Sequence, residues 1–228
     1  MGLIEDIVLV VANYGPSLLN AMVLTLELTA IGFVIGFGLG ILVSIGRLYA
    51  PAPLRVILAT YVEVIRGTPM LVQLFFIYYV TPTLGVKFDP LTASVVAIGL
   101  NSAAYQAEYF RMAFTSVPRE QWEAALSVGF SKWGALVNVI MPQALRLVIP
   151  ALTNELIYLL KYSSIAYFVT VPELVYVSRI IGARTLLHVP IYVTTAVFYI
   201  ALATVLFRFS RALEEKVAIP GLVVRGRI

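Results

Sequence analysis

Residues 17–46 read SLLNAMVLTLELTAIGFVIGFGLGILVSIG, with Glu27 as the one charged residue. At about 1.5 Å per residue such a helix crosses a bilayer at a tilt. The same character recurs along the chain: residues 7–26, 28–46, 67–86, 90–107 and 185–207 each lack a charge. Across 228 residues, 61% are hydrophobic and 12% charged, about half the charge of a water-soluble domain. The apolar excess lies in contiguous blocks rather than in one oversized core, so the expected fold is an all-α membrane protein.

Breakers divide the chain into five expected spans, at about 17–46, 54–80, 91–114, 147–168 and 189–207, within one transmembrane domain over 1–228. The residues before 17 are expected to stay attached as a short interfacial helix, because Glu5 and Asp6 stand where a signal peptide would carry positive charge. Residues 118–138 are too polar for lipid and read as two short helices, with Pro118 at a start, Gly129 at a left-handed stop and Ser131 capping the second. Trp122, Leu126 and Phe130 give that pair an apolar stripe.

Lys and Arg set orientation. Arg47, Arg55, Arg111, Arg119, Lys132, Arg146, Arg208, Arg211, Lys216, Arg225 and Arg227 fall on one side, against Lys87, Lys161, Arg179 and Arg184 on the other. This asymmetry predicts the N-terminus outside, with the helix pair and the C-terminus inside. The net charge of +4 is scattered and forms no run, so nucleic acid is not an expected partner. There is no cysteine, and His188 is the one histidine, which excludes disulfides and His or thiolate metal clusters. No internal repeat is visible, and no nucleophile or metal spacing suggests an enzyme.

Charges inside a membrane cost at least about 2.5 kcal/mol on insertion scales and persist beside protein or a water-filled cavity. Glu27, Glu63, Arg66, Glu108, Glu155 and Lys161 are such groups. Glu63 and Arg66, three apart, share a helix face and are expected to neutralise each other. Asn101, Tyr105, Gln106, Asn154, Glu155 and Lys161 form a polar lining in spans three and four, open to two readings: a substrate path, or hydrogen bonding between helices. Arg66-Gly67-Thr68-Pro69 interrupts span two, either as a break beside a cavity or as a proline kink. Gly32, Gly36 and Gly40 share one face of span one and predict close helix packing.

Glu123-Ala124-Ala125, then Gly129, then Ile140-Met141-Pro142-Gln143-Ala144 resembles the EAA signature of permease subunits of ATP-binding-cassette (ABC) importers. The glycine stands six and the proline nineteen residues after the glutamate, as in that signature. Residues 66–73, RGTPMLVQ, and 104–108, AYQAE, are similar to segments of the polar amino acid permeases. Asn154-Glu155-Leu156-Ile157 with Lys161 and Ser163-Ser164 is similar to a third segment, although Tyr162-Ser163 replaces the usual Asp-Thr. Arg119-Glu120-Gln121 also departs from the commoner Gly-Gln.

The resemblance implies an inner-membrane permease for polar amino acids, paired with a second copy of itself or with a related permease and served by an extracytoplasmic binding protein. A separate nucleotide-binding subunit would receive the helix pair at Glu123, Ala124, Ala125 and Gly129. That subunit would hold ATP and magnesium, since this chain contains no phosphate-loop motif. The substrate-site candidates are Thr68, Gln73, Asn101, Tyr105, Glu108, Asn154, Glu155 and Lys161. The expected substrate is a cationic amino acid such as arginine, lysine or histidine, with glutamine or glutamate as the alternative. An ion-coupled secondary transporter is the competing class.

Overall fold

A computed structural model describes residues 2–217. Arg225, Arg227 and the C-terminal tail, which entered the orientation argument, lie outside the described residues. Among the described residues there is no strand.

Helix α1 (Leu3–Tyr49) runs unbroken through Pro16 and is about 70 Å long. The expected separate interfacial helix is therefore its first turns. Its buried face is Leu18, Ala21, Thr25, Leu28, Thr29, Gly32, Gly36, Gly40 and Ser44, a helical stripe of mostly small residues. From Leu28 on, that stripe seats α4 (Pro90–Ser116), while Leu18, Ala21 and Thr25 meet residues 174–191. A Cβ on Gly32 would lie 2.3 Å from Ile98, one on Gly36 2.6 Å from Ser102 and Gln106, and one on Gly40 2.9 Å from Gln106. The predicted glycine face is thus a helix contact within this chain.

Helix α4 covers the residues of expected span three and is the innermost helix. Asp89 starts it, accepting from the Leu91 and Thr92 amides at 3.0 and 3.1 Å, with Pro90 in the first turn. The Thr92 hydroxyl, at 2.5 Å, leads the interactions that hold the Asp89 carboxyl below its ordinary range. Among the described residues, three helical runs are long and apolar enough to cross a membrane: Leu3–Tyr49, Lys132–Val169 and His188–Lys216. The pair Ala52–Gly67 and Met70–Leu84 adds a fourth if it counts as one span. Helix α4 is too polar to join them, because it carries Ser94, Asn101, Ser102 and Gln106. All four are buried, so it is wrapped by protein, where polarity costs little once hydrogen-bonded.

Span two is broken rather than kinked. Helix α2 (Ala52–Gly67) ends, Thr68 is extended, and α3 (Met70–Phe75) leaves at a bend of 110°. A wide turn, Phe76–Val80, and a tight one, Thr81–Leu84, carry the chain to Gly85.

Helix α5 (Arg119–Ser127) is the first of the expected short pair. The second is not separate: α6 (Lys132–Ala135) passes through a wide turn, Leu136–Ile140, into α7 (Met141–Tyr162). The helical run that contains expected span four thus begins fifteen residues before the expected start at 147. Pro142, which has no amide proton to donate, directly follows the wide turn, where the regular helical ladder is already interrupted. A tight turn, Ser163–Val169, then leads to α8 (Leu174–Thr185), which the sequence reading did not identify. Helix α9 (His188–Val217) contains span five and extends beyond it. Apolar clusters pack α4 against α1 and α3, α4 against α7, and α1 against α8 and α9.

Candidate functional site

The break in span two is held by side chains. Gln73 Nε2 donates to the Ile65 and Thr68 carbonyls at 2.7 and 3.0 Å, satisfying groups that the end of α2 leaves open. The Thr68 hydroxyl donates to Val64 O at 2.9 Å. Asn101 Nδ2 donates to Gln73 Oε1 at 2.9 Å, and Tyr61 OH donates to Leu100 O at 2.6 Å, both fastening the break to α4. Thr68, Gln73 and Asn101 therefore form one cluster. Arg66 does not pair with Glu63; its guanidinium lies 5.3 Å from the Tyr105 ring centre. A cation stacked on an aromatic face is partly compensated without a carboxylate.

A second cluster surrounds Glu155 on α7, which is 4% exposed. Its Oε1 accepts from the Ser102 hydroxyl at 2.8 Å and its Oε2 from Tyr109 OH at 3.3 Å. No ion pair reaches it among the described residues. Asn154 is exposed on the adjoining face of α7, with Lys161 two turns on, its Nζ 4.6 Å from the centre of the Tyr158 ring. Glu108 stands apart from both clusters: Arg47 donates to it at 2.7 Å, and Arg111 also donates to its carboxylate. Both its oxygens are occupied: the Arg47 bond to Oε2 ties α1 to α4, and the Arg111 bonds lie within α4.

The sequence reading passed over Ser102 and Tyr109. Their signal is local: Ser102 with Gln106, and Tyr105 with Tyr109, are each four apart on one helix. Their partner lies tens of residues away, which no spacing reveals.

At the Arg47 end of the bundle, Gly129 closes α5 with φ 93°. Its amide donates to Leu126 O at 3.1 Å, and Phe130 N donates to Ala125 O at 3.2 Å. This is a left-handed helix stop of the kind glycine favours. Ser131 accepts from Gly134 N at 3.0 Å and starts α6 as predicted. Ala125 is buried, whereas Ala124 is exposed, and Glu123 is exposed and pairs with Arg119 at 3.0 Å. Trp122 turns inward toward Tyr49. The apolar stripe consequently shifts: Leu126, Val128, Phe130, Trp133 and Val137 stand 41–74% exposed around the turn. An uncovered apolar patch of this kind marks a contact surface.

Residues 32–219 match the family described as the binding-protein-dependent transport system inner membrane component. The chain is 38% identical to the probable amino-acid ABC transporter permease protein YckA of Bacillus subtilis (strain 168), over 89% of this chain and 90% of that one. It is 35% identical to the glutamine transport system permease protein GlnP of Escherichia coli (strain K12), over 90% and 94%. A crystal structure of an amino acid ABC transporter with histidines superposes with a TM-score of 0.85 at 33% identity, covering 91% of this chain and 97% of that one.

The chain belongs to this family of multi-pass inner-membrane ABC permeases, in its amino acid group. Membership excludes the ion-coupled class and makes the chain the non-catalytic component of a system that also includes an ATPase and a binding protein.

Proposed function

We propose that this permease forms one half of a paired translocation path for cationic amino acids. The observation that carries the reading is Glu155: a buried carboxylate inside a membrane bundle with no cation beside it among the described residues. A charge so placed is costly unless something positive meets it. A guanidinium or ammonium passing through would do so. Asn154, Lys161 and Tyr158 share the exposed face of α7 next to it, and such polar side chains suit a face turned toward a second copy and a wet path rather than toward lipid.

In this reading α1, the broken pair α2 and α3, α4, α7 and α9 are the five spans of one domain, with the N-terminus outside. Asn101, Gln73 and Thr68 hold the break, and Tyr105 with Arg66 lies beside the path. Glu108 fastens helices. The Gly129 turn, with Glu123, Ala124 and Ala125, seats in the ATPase subunit through the apolar patch around it. When ATP draws the two ATPase subunits together, the turns move with them and rock the permease pair between inward-open and outward-open states.

Glutamine is the second reading, favoured by the likeness to the glutamine permease. Glu155→Gln separates the two. Binding-protein-dependent uptake of arginine and lysine is expected to fall at least tenfold, with glutamine uptake retained. Equal uptake of all three by wild type and variant would discard the cationic reading.

A further inference from the structure

Gln106 is fully buried at the centre of α4. Its Nε2 donates to Phe33 O on α1 at 3.2 Å and to Ser102 Oγ at 2.9 Å. The Phe33 carbonyl can only accept, so the amide orientation is fixed. Ser102 has one proton and already accepts from Gln106. That proton therefore goes to Glu155 Oε1, 2.8 Å away. Tyr109 OH, two turns beyond Ser102 on α4, covers the other oxygen. The arrangement exists because position 36 is glycine: a Cβ there would lie 2.6 Å from both Gln106 Nε2 and Ser102 Oγ.

We infer that Gln106, Ser102 and Tyr109 are specificity-determining positioning residues: a relay from the α1 backbone through the Gly36 gap holds the Glu155 carboxylate as an acceptor for a cationic substrate. The inference rests on the proposed role of Glu155. Both hydroxyls point their protons at the carboxylate, so it presents lone pairs alone, which suits a donor such as guanidinium and disfavours a carboxamide that offers an acceptor as well as donors. Gln106 Oε1 is buried without a partner among the described residues, a further acceptor and no further donor in the same group. The relay also ties selectivity to helix position, because a shift of α1 against α4 moves the Phe33 carbonyl that orients Gln106.

The test uses the complete transporter, with its ATPase subunit and binding protein, in proteoliposomes. Uptake of arginine, lysine and histidine is measured against glutamine and cystine for wild type, Glu155→Gln, Ser102→Ala, Gln106→Met and Tyr109→Phe. Losing one hydrogen bond to a charged group corresponds to about a tenfold change. The ratio of cationic to neutral uptake is expected to fall five- to tenfold in Ser102→Ala and in Tyr109→Phe, and less in Gln106→Met, which acts at one remove. A changed ratio in Glu155→Gln with an unchanged ratio in all three relay variants overturns the relay while leaving the role of Glu155 intact. An unchanged ratio in Glu155→Gln overturns both. Should Ser102→Ala fail to assemble, Tyr109→Phe reads the same ratio from a half-buried site that loses only a hydroxyl.

Discussion

Gly129→Val is expected to abolish ATP-driven uptake while the chain still inserts and still pairs. The backbone at 129 has φ 93°, where a β-branched residue is strongly disfavoured. A Cβ there would meet nothing within 4 Å, so the effect is purely conformational. Valine would force the turn into a right-handed or extended form, breaking the bonds from Gly129 N to Leu126 O and from Phe130 N to Ala125 O. The exit angle of α6 would then change, and with it the set of Leu126, Val128, Phe130 and Trp133. Asparagine tolerates the left-handed region better than valine, so Gly129→Asn should retain part of the activity. Copurification with the ATPase subunit, followed by uptake, reads the series. Wild-type uptake by the valine variant would remove α5 and its turn from the coupling role.

The second large effect is expected at Gly36. A leucine there would drive its Cβ into Ser102 and Gln106 at 2.6–2.7 Å; Ser102 Cβ cannot swing away, and moving Gln106 Nε2 gives up its bonds to Phe33 O and Ser102 Oγ. Overpacking of this kind costs about 1–3 kcal/mol, and each buried hydrogen bond it breaks adds about 1–3 kcal/mol for the orphaned group. Thermal unfolding of the purified permease should fall by several degrees or more. Gly38→Leu is the internal control: two residues along the same helix, exposed, with nothing within 4 Å of a Cβ. Equal melting of the two variants would show that the α1–α4 contact is not the close one described.

Much of this was legible in the residues. The four-residue glycine spacing and the Gly129-to-Ser131 turn depend on local periodicity and backbone preference and appear where they were read, whereas the long apolar runs gave the helices but not all their bounds. The continuation of α1 through Pro16 did not show, because a proline early in an otherwise strong helix former reads as a boundary unless surrounding packing overrides it. Helix α8 escaped because it is too short for a span, and what starts it is Glu173, whose carboxylate caps Tyr176 N at 2.8 Å and takes a bond from Tyr199 on α9. The Glu63–Arg66 pairing failed because spacing gives opportunity only; an aromatic face brought from another helix took the guanidinium instead. The site around Glu155 joins residues from three helices, so sequence supplied its carboxylate and not its donors.

The unbroken α1 has a further consequence. A rod of about 70 Å is more than twice the oil thickness of a bilayer, about 30 Å, and submerging it whole would require leaning beyond the inclinations that spanning helices adopt. Some of it must therefore project into aqueous surroundings. Leu3, Ile4, Val8, Leu9 and Val11 are 37–78% exposed on its opening turns. Those greasy side chains need either headgroup-level lipid or a neighbouring polypeptide to wet them, and truncating at residue 12 would show whether that tip anchors the assembly.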